Sequence, residues 1–399
     1  MATNGTVRSA DVETRAQRPN AWPARSRVAL VNGSLLLLSL AAASGAGEVA
    51  VRVLAPQQLI LKRPDVWKAV DTLGWVHRAN LRTTINTGER SVHVVTDQDG
   101  FRVGGTRHTA VQKHVLLLGD SFMEAFQVEY EESLAGLLEA RLPARIGMSV
   151  DVANTAVGGW DPPQYLLQAR ALLGRRRFDL VLVSLYVGND VVSTRPDRFP
   201  PRAPKEVHAL RVPRRLVGSE WVDAVLYPIN DFLEVRSQLY VFLKTRLHTA
   251  RMRVHLAADY FPTVLLRTEA TAPRWEVTAQ ICRDIAALAD RAGIPTLFVL
   301  VPTPYQVDPA AFAQFLRGFQ IDSAAIDVDQ PSRLLRLALE KQHLTVLDAL
   351  PAFRVAQSAG MTLYGHVDNH LSPAGHGVLE RYLEAGVAAK LRDTTPDDR

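Results

Sequence analysis

A serine hydroxyl is a poor nucleophile until a neighbouring imidazole takes its proton. In this sequence Ser121 stands in Gly119-Asp120-Ser121-Phe122, just after the apolar run His114 to Leu118 and ahead of a helical pattern from Glu131. A serine at a strand-to-helix turn is lifted above the sheet edge, where the helix N-terminus offers N–H groups and a positive dipole. The same residues also suit a simple helix cap, so the tripeptide alone decides nothing. An imidazole is supplied far downstream, where Asp368-Asn369-His370 precedes Leu371-Ser372-Pro373-Ala374-Gly375-His376. His366, Asp368 and His370 alternate, which on a strand would put three ligands on one face and suit zinc. Gly365 and Leu371-Ser372-Pro373 frame a loop instead and no fourth ligand stands out, so no metal is expected. His376 opens the last helix and is expected at the surface or in packing.

Groups so distant in sequence need elements that deliver them to one place. From residue 111 short β-branched or leucine-rich runs recur at His114 to Leu118, Ser149 to Ala153, Leu180 to Ser184, Thr296 to Val301 and Leu344 to Leu347. Helical patterns fall between them at Leu134 to Leu142, Pro163 to Leu173, Trp275 to Ala292 and Pro331 to Lys341. Alternating strands and helices predict a parallel sheet covered on both faces, with reactive groups at the carboxyl ends of its strands. The second run leads into Asn154-Thr155-Ala156-Val157-Gly158-Gly159-Trp160 and the third into Tyr186-Val187-Gly188-Asn189-Asp190. Each therefore brings glycine and asparagine to the edge that carries Ser121. Asp120 and Asp190 are expected to hold loops by accepting N–H bonds. Trp160 and Tyr186 suit either sugar stacking or core packing.

These four segments, in this order and spacing, resemble the SGNH (GDSL-type) hydrolase superfamily over residues 111 to 390, in the manner of a membrane-anchored bacterial-type member. Asp99-Gly100-Phe101-Arg102 is similar to the lead-in of such members. The resemblance implies a flavodoxin-like three-layer α/β sandwich around a five-stranded parallel sheet. It implies that Ser121 is the nucleophile, His370 the general base and Asp368 the residue that orients it. The oxyanion hole would be the backbone N–H of Ser121, the backbone N–H of Gly159 and the side-chain amide of Asn189. Gly158 is the alternative to Gly159; Gly159, five residues after Asn154, is favoured. Three departures stand out: Val367 occupies the usual acid position three before the histidine, Gly188 immediately precedes Asn189, and Ala156 replaces a glycine. With Asp368 two before His370, either a triad or a Ser-His dyad is open. The implied activity is a serine esterase working through an acyl-enzyme, without cofactor, on an acylated small molecule or glycan. An O-acetyltransferase passing the acyl group to a sugar hydroxyl is the alternative, and a non-catalytic glycan-binding or scaffolding module the reading from another class.

The rest of the chain sets location. Residues 1–27 carry Arg8, Arg15, Arg18, Arg25 and Arg27 against Asp11 and Glu13, and Val28 to Gly47 runs without a charge. Twenty apolar residues make about 30 Å of helix, one membrane span. Arginines on its N-terminal side predict a cytoplasmic tail over 1–27, an anchor over 28–54 and a catalytic domain on the non-cytoplasmic side. A cleaved signal peptide and a buried helix are the alternatives, and the long n-region and uninterrupted run weigh against both. Residues 55–110 are expected as a stalk and irregular lead-in, 192–270 as an insertion with a Pro/Arg-rich segment at Arg195 to Arg215, and 391–399 as a tail. The 46 Lys and Arg against 41 Asp and Glu give only +5, so nucleic acid is not an expected partner. A lone Cys282 excludes an intramolecular disulfide and is expected as a buried thiol.

Overall fold

Five runs become the strands of one parallel sheet, whose three central strands are buried on both faces. The computed structural model describes residues 24–59, 63, 65–105, 111–191, 229–230, 232–253 and 262–393. It divides at Ala50/Val51 into two units. The first holds most of helix α1 (Ala24–Leu54), whose Val28–Leu54 stretch is long and apolar enough to cross a membrane, with a mean hydropathy of 1.8. Leu35, Leu36, Leu37 and Leu38 are exposed along it. Residues 1–23 of the expected N-terminal tail, the Pro/Arg-rich segment 195–215 and residues 394–399 lie outside the described residues.

In the second unit, β1 (Trp67–Val70) pairs with β2 (Gly74–His77) and β3 (Arg82–Asn86) with β4 (Ser91–Val95), both antiparallel. The parallel sheet follows: β5 (Lys113–Leu118), β6 (Val150–Asn154), β7 (Leu180–Tyr186), β8 (Thr296–Val301) and β9 (Val346–Asp348), in the order β6-β5-β7-β8-β9. Numbering these five from the first gives 2-1-3-4-5, the flavodoxin-like order. Leu116 and Leu118, with Val181, Val183 and Leu185, face one core; Val115 and Leu117, with Leu180 and Leu182, face the other. That period of two fills both faces. The first core is closed by α4 (Pro162–Leu173), α6 (Arg274–Arg291) and α9 (Gln330–Lys341), the second by α3 (Leu134–Ile146), α10 (Leu350–Ser358) and α11 (Pro373–Asp393). Short α2 (Ser121–Glu124), α5 (Gln238–Arg253), α7 (Pro304–Val307) and α8 (Pro309–Phe319) complete the helices described. The caps are local: Ser133 accepts from Gly136 N–H before α3, and Gly147, left-handed at φ 74°, ends that helix.

The structure differs from the expected stalk. Residues 65–105 fold onto the sheet domain, where Val66, Ile85, Val92 and Val94 bury themselves with Phe126. Their alternation had no visible partner in the sequence, because the partner is the loop after Ser121. Helix α5 falls within the expected 192–270 insertion, most of which lies outside the described residues. The predicted strand Leu344 to Leu347 begins two residues later, as β9, whose register against β8 runs over Val346, Leu347 and Asp348.

Candidate active site

Strand order reverses at β5, and a crevice opens at such a switch point beyond the strand carboxyl ends. Ser121 follows β5 and Asn189 follows β7, one on each side of that point. Asp120 caps α2 by accepting Phe122 N–H at 2.9 Å, and the helix stops at Ala125, a non-glycine residue at φ 56°. Arg102 fixes that stop. It is fully buried and donates from Nη1 to Glu124 O (2.9 Å) and Ala125 O, and from Nη2 to Val128 O (2.6 Å). Burial pulls its pKa down to about 10, so the guanidinium stays charged at neutral pH.

His370 arrives from the loop before α11. Its Nε2 lies 2.7 Å from Ser121 Oγ, and its Nδ1 donates to Asp368 Oδ1. Asp368 Oδ1 also accepts His370 N–H at 3.0 Å, so the spacing of two closes a tight local turn. The other oxygen, Oδ2, accepts from the Gln127 amide at 3.0 Å and from the Gln58 amide. Glu89, in the β3–β4 turn, accepts the Val367 N–H at 2.5 Å. The three charge neighbours set the imidazole. Burial pulls its pKa down, but the Asp368 hydrogen bond and charge, followed by Asp120 and Glu124, outweigh it and the net shift is up. Asp368 moves the other way: burial pushes it up, and the His370 and Gln127 bonds carry it below the usual carboxylate value. Phe122 stacks on Tyr186 with centroids 3.7 Å apart and lies 4.6 Å from the His370 ring, walling the imidazole on its apolar side.

Of the expected oxyanion donors, Gly158 N–H is occupied by Glu124 Oε1 at 2.8 Å. Gly159 is exposed, at φ 77°, and no hydrogen bond from its N–H to a described residue is seen. The Asn189 amide is exposed and stands 3.4 Å from Asp120 Oδ2. Burial raises Asp120 to about 6, with the Phe122 N–H and His370 opposing. Asp190 accepts Tyr186 N–H at 2.8 Å and Tyr165 O–H at 3.1 Å, as a loop holder does. Trp160 is core, donating to Trp75 O at 2.9 Å. His376 is buried and accepts Leu134 N–H at 3.3 Å, with burial taking its pKa down to about 3. Cys282 is buried and its thiol is pushed up by burial. Among the described residues no group of three His, Cys, Asp or Glu is set to hold a metal ion.

Reading the sequence missed Gln58, Trp75, His77, Glu89, Glu124 and Gln127. Glu124 is the one with a local signal, sitting three residues after Ser121 on the same short helix.

No family model and no curated protein matches the chain. Among solved structures it is similar to LAE5, an alpha/beta hydrolase from the metagenome of Lake Arreo, Spain, at 15% identity, covering 71% of this chain and 97% of that one, with a TM-score of 0.38. It is similar to TesA at 12% identity, covering 70% and 99%, with a TM-score of 0.36. Axe2, an acetylxylan esterase from Geobacillus stearothermophilus, matches at 12%, covering 71% and 95%, with a TM-score of 0.35. At these identities and scores the chemistry rests on the site's own geometry.

Proposed function

We propose that this protein is a serine esterase that works through an acyl-enzyme. The observation that carries the reading is Ser121 Oγ held 2.7 Å from His370 Nε2 while Nδ1 of the same ring is bound to Asp368. In the proposed cycle Ser121 attacks the ester carbonyl as its proton passes to His370 Nε2. Asp368 keeps the tautomer that leaves Nε2 free to accept it and stabilises the imidazolium. The tetrahedral oxygen would be met by the N–H groups of Ser121 and Gly159 and by the Asn189 amide. One such donor is worth about 2.7 to 4 kcal/mol of barrier. His370 then returns its proton to the departing alcohol, and a water repeats the sequence to free the acid. Val28–Leu54 supports a membrane anchor. Placement of the domain on the non-cytoplasmic side, inferred from the arginines before that helix, points to O-acyl groups on envelope or secreted glycans as substrate.

The test is the full-length chain in detergent, treated with a fluorophosphonate probe and with p-nitrophenyl acetate beside Ser121→Ala. Wild type is expected to label and turn over, and Ser121→Ala to do neither. A wild-type protein that is folded yet inert to both reagents would remove the esterase reading.

A further inference from the structure

The loop that carries Gly159 is a tight turn over Val157 to Trp160. Trp160 N–H donates to Val157 O at 3.1 Å, and Gly159 in the third position has φ 77° while Gly158 is not left-handed, the signature of a type II turn. Type I and type II turns differ by a flip of their central peptide, here the one joining Gly158 to Gly159. Because a trans peptide points its C=O and N–H in opposite directions, whatever holds Gly158 O also aims Gly159 N–H. A glycine pair leaves both states open, since neither residue has a Cβ to forbid one.

The lead-in removes that freedom. Trp75, in β2, donates its indole N–H to Gly158 O at 2.8 Å, and Trp160 returns a bond from its own indole to Trp75 O at 2.9 Å. The preceding peptide is held as well, by Gly158 N–H on Glu124 Oε1 at 2.8 Å. Glu124 is fixed in turn by His77 Nε2 at 2.6 Å, again from β2, and by the Trp67 indole at 3.2 Å from β1. All of these groups are buried or partly buried; the Glu124 and His77 side chains are 3% and 1% exposed. A Cβ on Gly158 would stand 2.8 Å from Glu124 Oε2, so the approach needs glycine.

We propose that Trp75 is a positioning residue of the proposed esterase: its indole N–H, with Glu124 seated by His77, locks the Gly158–Gly159 peptide in the orientation that presents Gly159 N–H as an oxyanion donor. The hairpin β1–β2 is thereby part of the active-site apparatus. This rests on the esterase reading, and Trp75 touches no substrate; it acts through the peptide.

The experiment is steady-state kinetics on p-nitrophenyl acetate for the full-length chain in detergent, with wild type, Ser121→Ala, Trp75→Phe, and Trp75 replaced by 3-benzothienylalanine, which keeps the ring system and exchanges N–H for sulfur. Losing the lock weakens one transition-state donor, and removing such a donor outright costs about 10²- to 10³-fold in kcat. Both Trp75 replacements are expected to lower kcat about 10- to 100-fold with KM within about twofold, because the donor acts on the transition state more than on the bound ester. The isosteric replacement should do so with an unchanged melting temperature, which a merely structural role would not give. Wild-type turnover together with full kcat in the benzothienyl variant would overturn the inference and leave the esterase intact. Absence of wild-type turnover would overturn both.

Discussion

At the scale of single residues, His370 decides the working pH. It must be neutral at Nε2 to take the Ser121 proton, so activity falls as pH drops through its pKa. That pKa is raised above the ordinary 6.5, because the bond and charge of Asp368 outweigh burial. The acid limb of kcat/KM is therefore expected above pH 6.5. Asp368→Asn removes the charge and leaves burial, which favours the neutral ring, so the limb should move to lower pH. The same change turns one of the two carboxylate oxygens, each of which accepts hydrogen bonds, into an NH2 donor and so loosens the hold on the tautomer, and kcat should fall about 10²- to 10⁴-fold. A pH–rate profile of the two proteins checks both; an Asp368→Asn enzyme with unchanged rate and limb would reduce the site to a Ser-His pair. Asp368 could be found in the sequence because it is two residues from His370. Gln58 and Gln127, which fix its other oxygen, could not, since each is more than 200 residues away and a lone glutamine has no spacing signature.

Elements tell a similar story about what is legible. The central strands β5, β7 and β8 were readable because each is buried on both faces and so is apolar almost throughout, as in Leu180 to Leu185. Helices α3, α4, α6 and α9 matched their periodic patterns within a few residues. The short α2 was not, because four residues give no period and its cap at Asp120 is also the residue beside the nucleophile. Hairpins β1–β2 and β3–β4 showed alternation but no destination, because the contacts that tie them to the domain are non-local: Trp67 and His77 reach Glu124, Trp75 reaches Gly158, and Glu89 reaches Val367. Just beyond the hairpins, Arg102 gathers three carbonyls of the loop after Ser121. Arg102→Met should leave those carbonyls buried without a donor and cost about 3 to 5 kcal/mol, the scale for breaking a buried charged network. Urea unfolding of the two proteins measures it. A loss below about 1 kcal/mol would mean the loop finds other donors, and the lead-in would then be covering the site without holding it.

For the whole molecule, composition and charge become informative once divided by region. The +5 balance gains from Arg8, Arg15, Arg18, Arg25 and Arg27, all before Val28. Val28–Leu54 exposes Leu30, Leu35, Leu36, Leu37, Leu38 and Leu40, whereas α6 turns Ile281, Ile285 and Ala289 into the core and α9 buries Leu335 and Leu339. A helix apolar on all sides has no reason to stay in water, since each exposed leucine side chain costs about 1.5 to 3 kcal/mol relative to burial. The full-length protein should therefore sediment with membranes, resist extraction by alkaline carbonate and be released by detergent. A peripheral association through the basic residues would instead be reversed by salt, because exposed charges are screened beyond about 10 Å at 0.1 M. Mass measurement of the membrane-bound chain distinguishes an anchor from a removed leader: an intact N-terminus is expected, and a chain shortened within residues 41–50 and found in the soluble fraction would make the helix a leader. Either outcome keeps β1 to β4, which begin beyond residue 66, with the site they help to build.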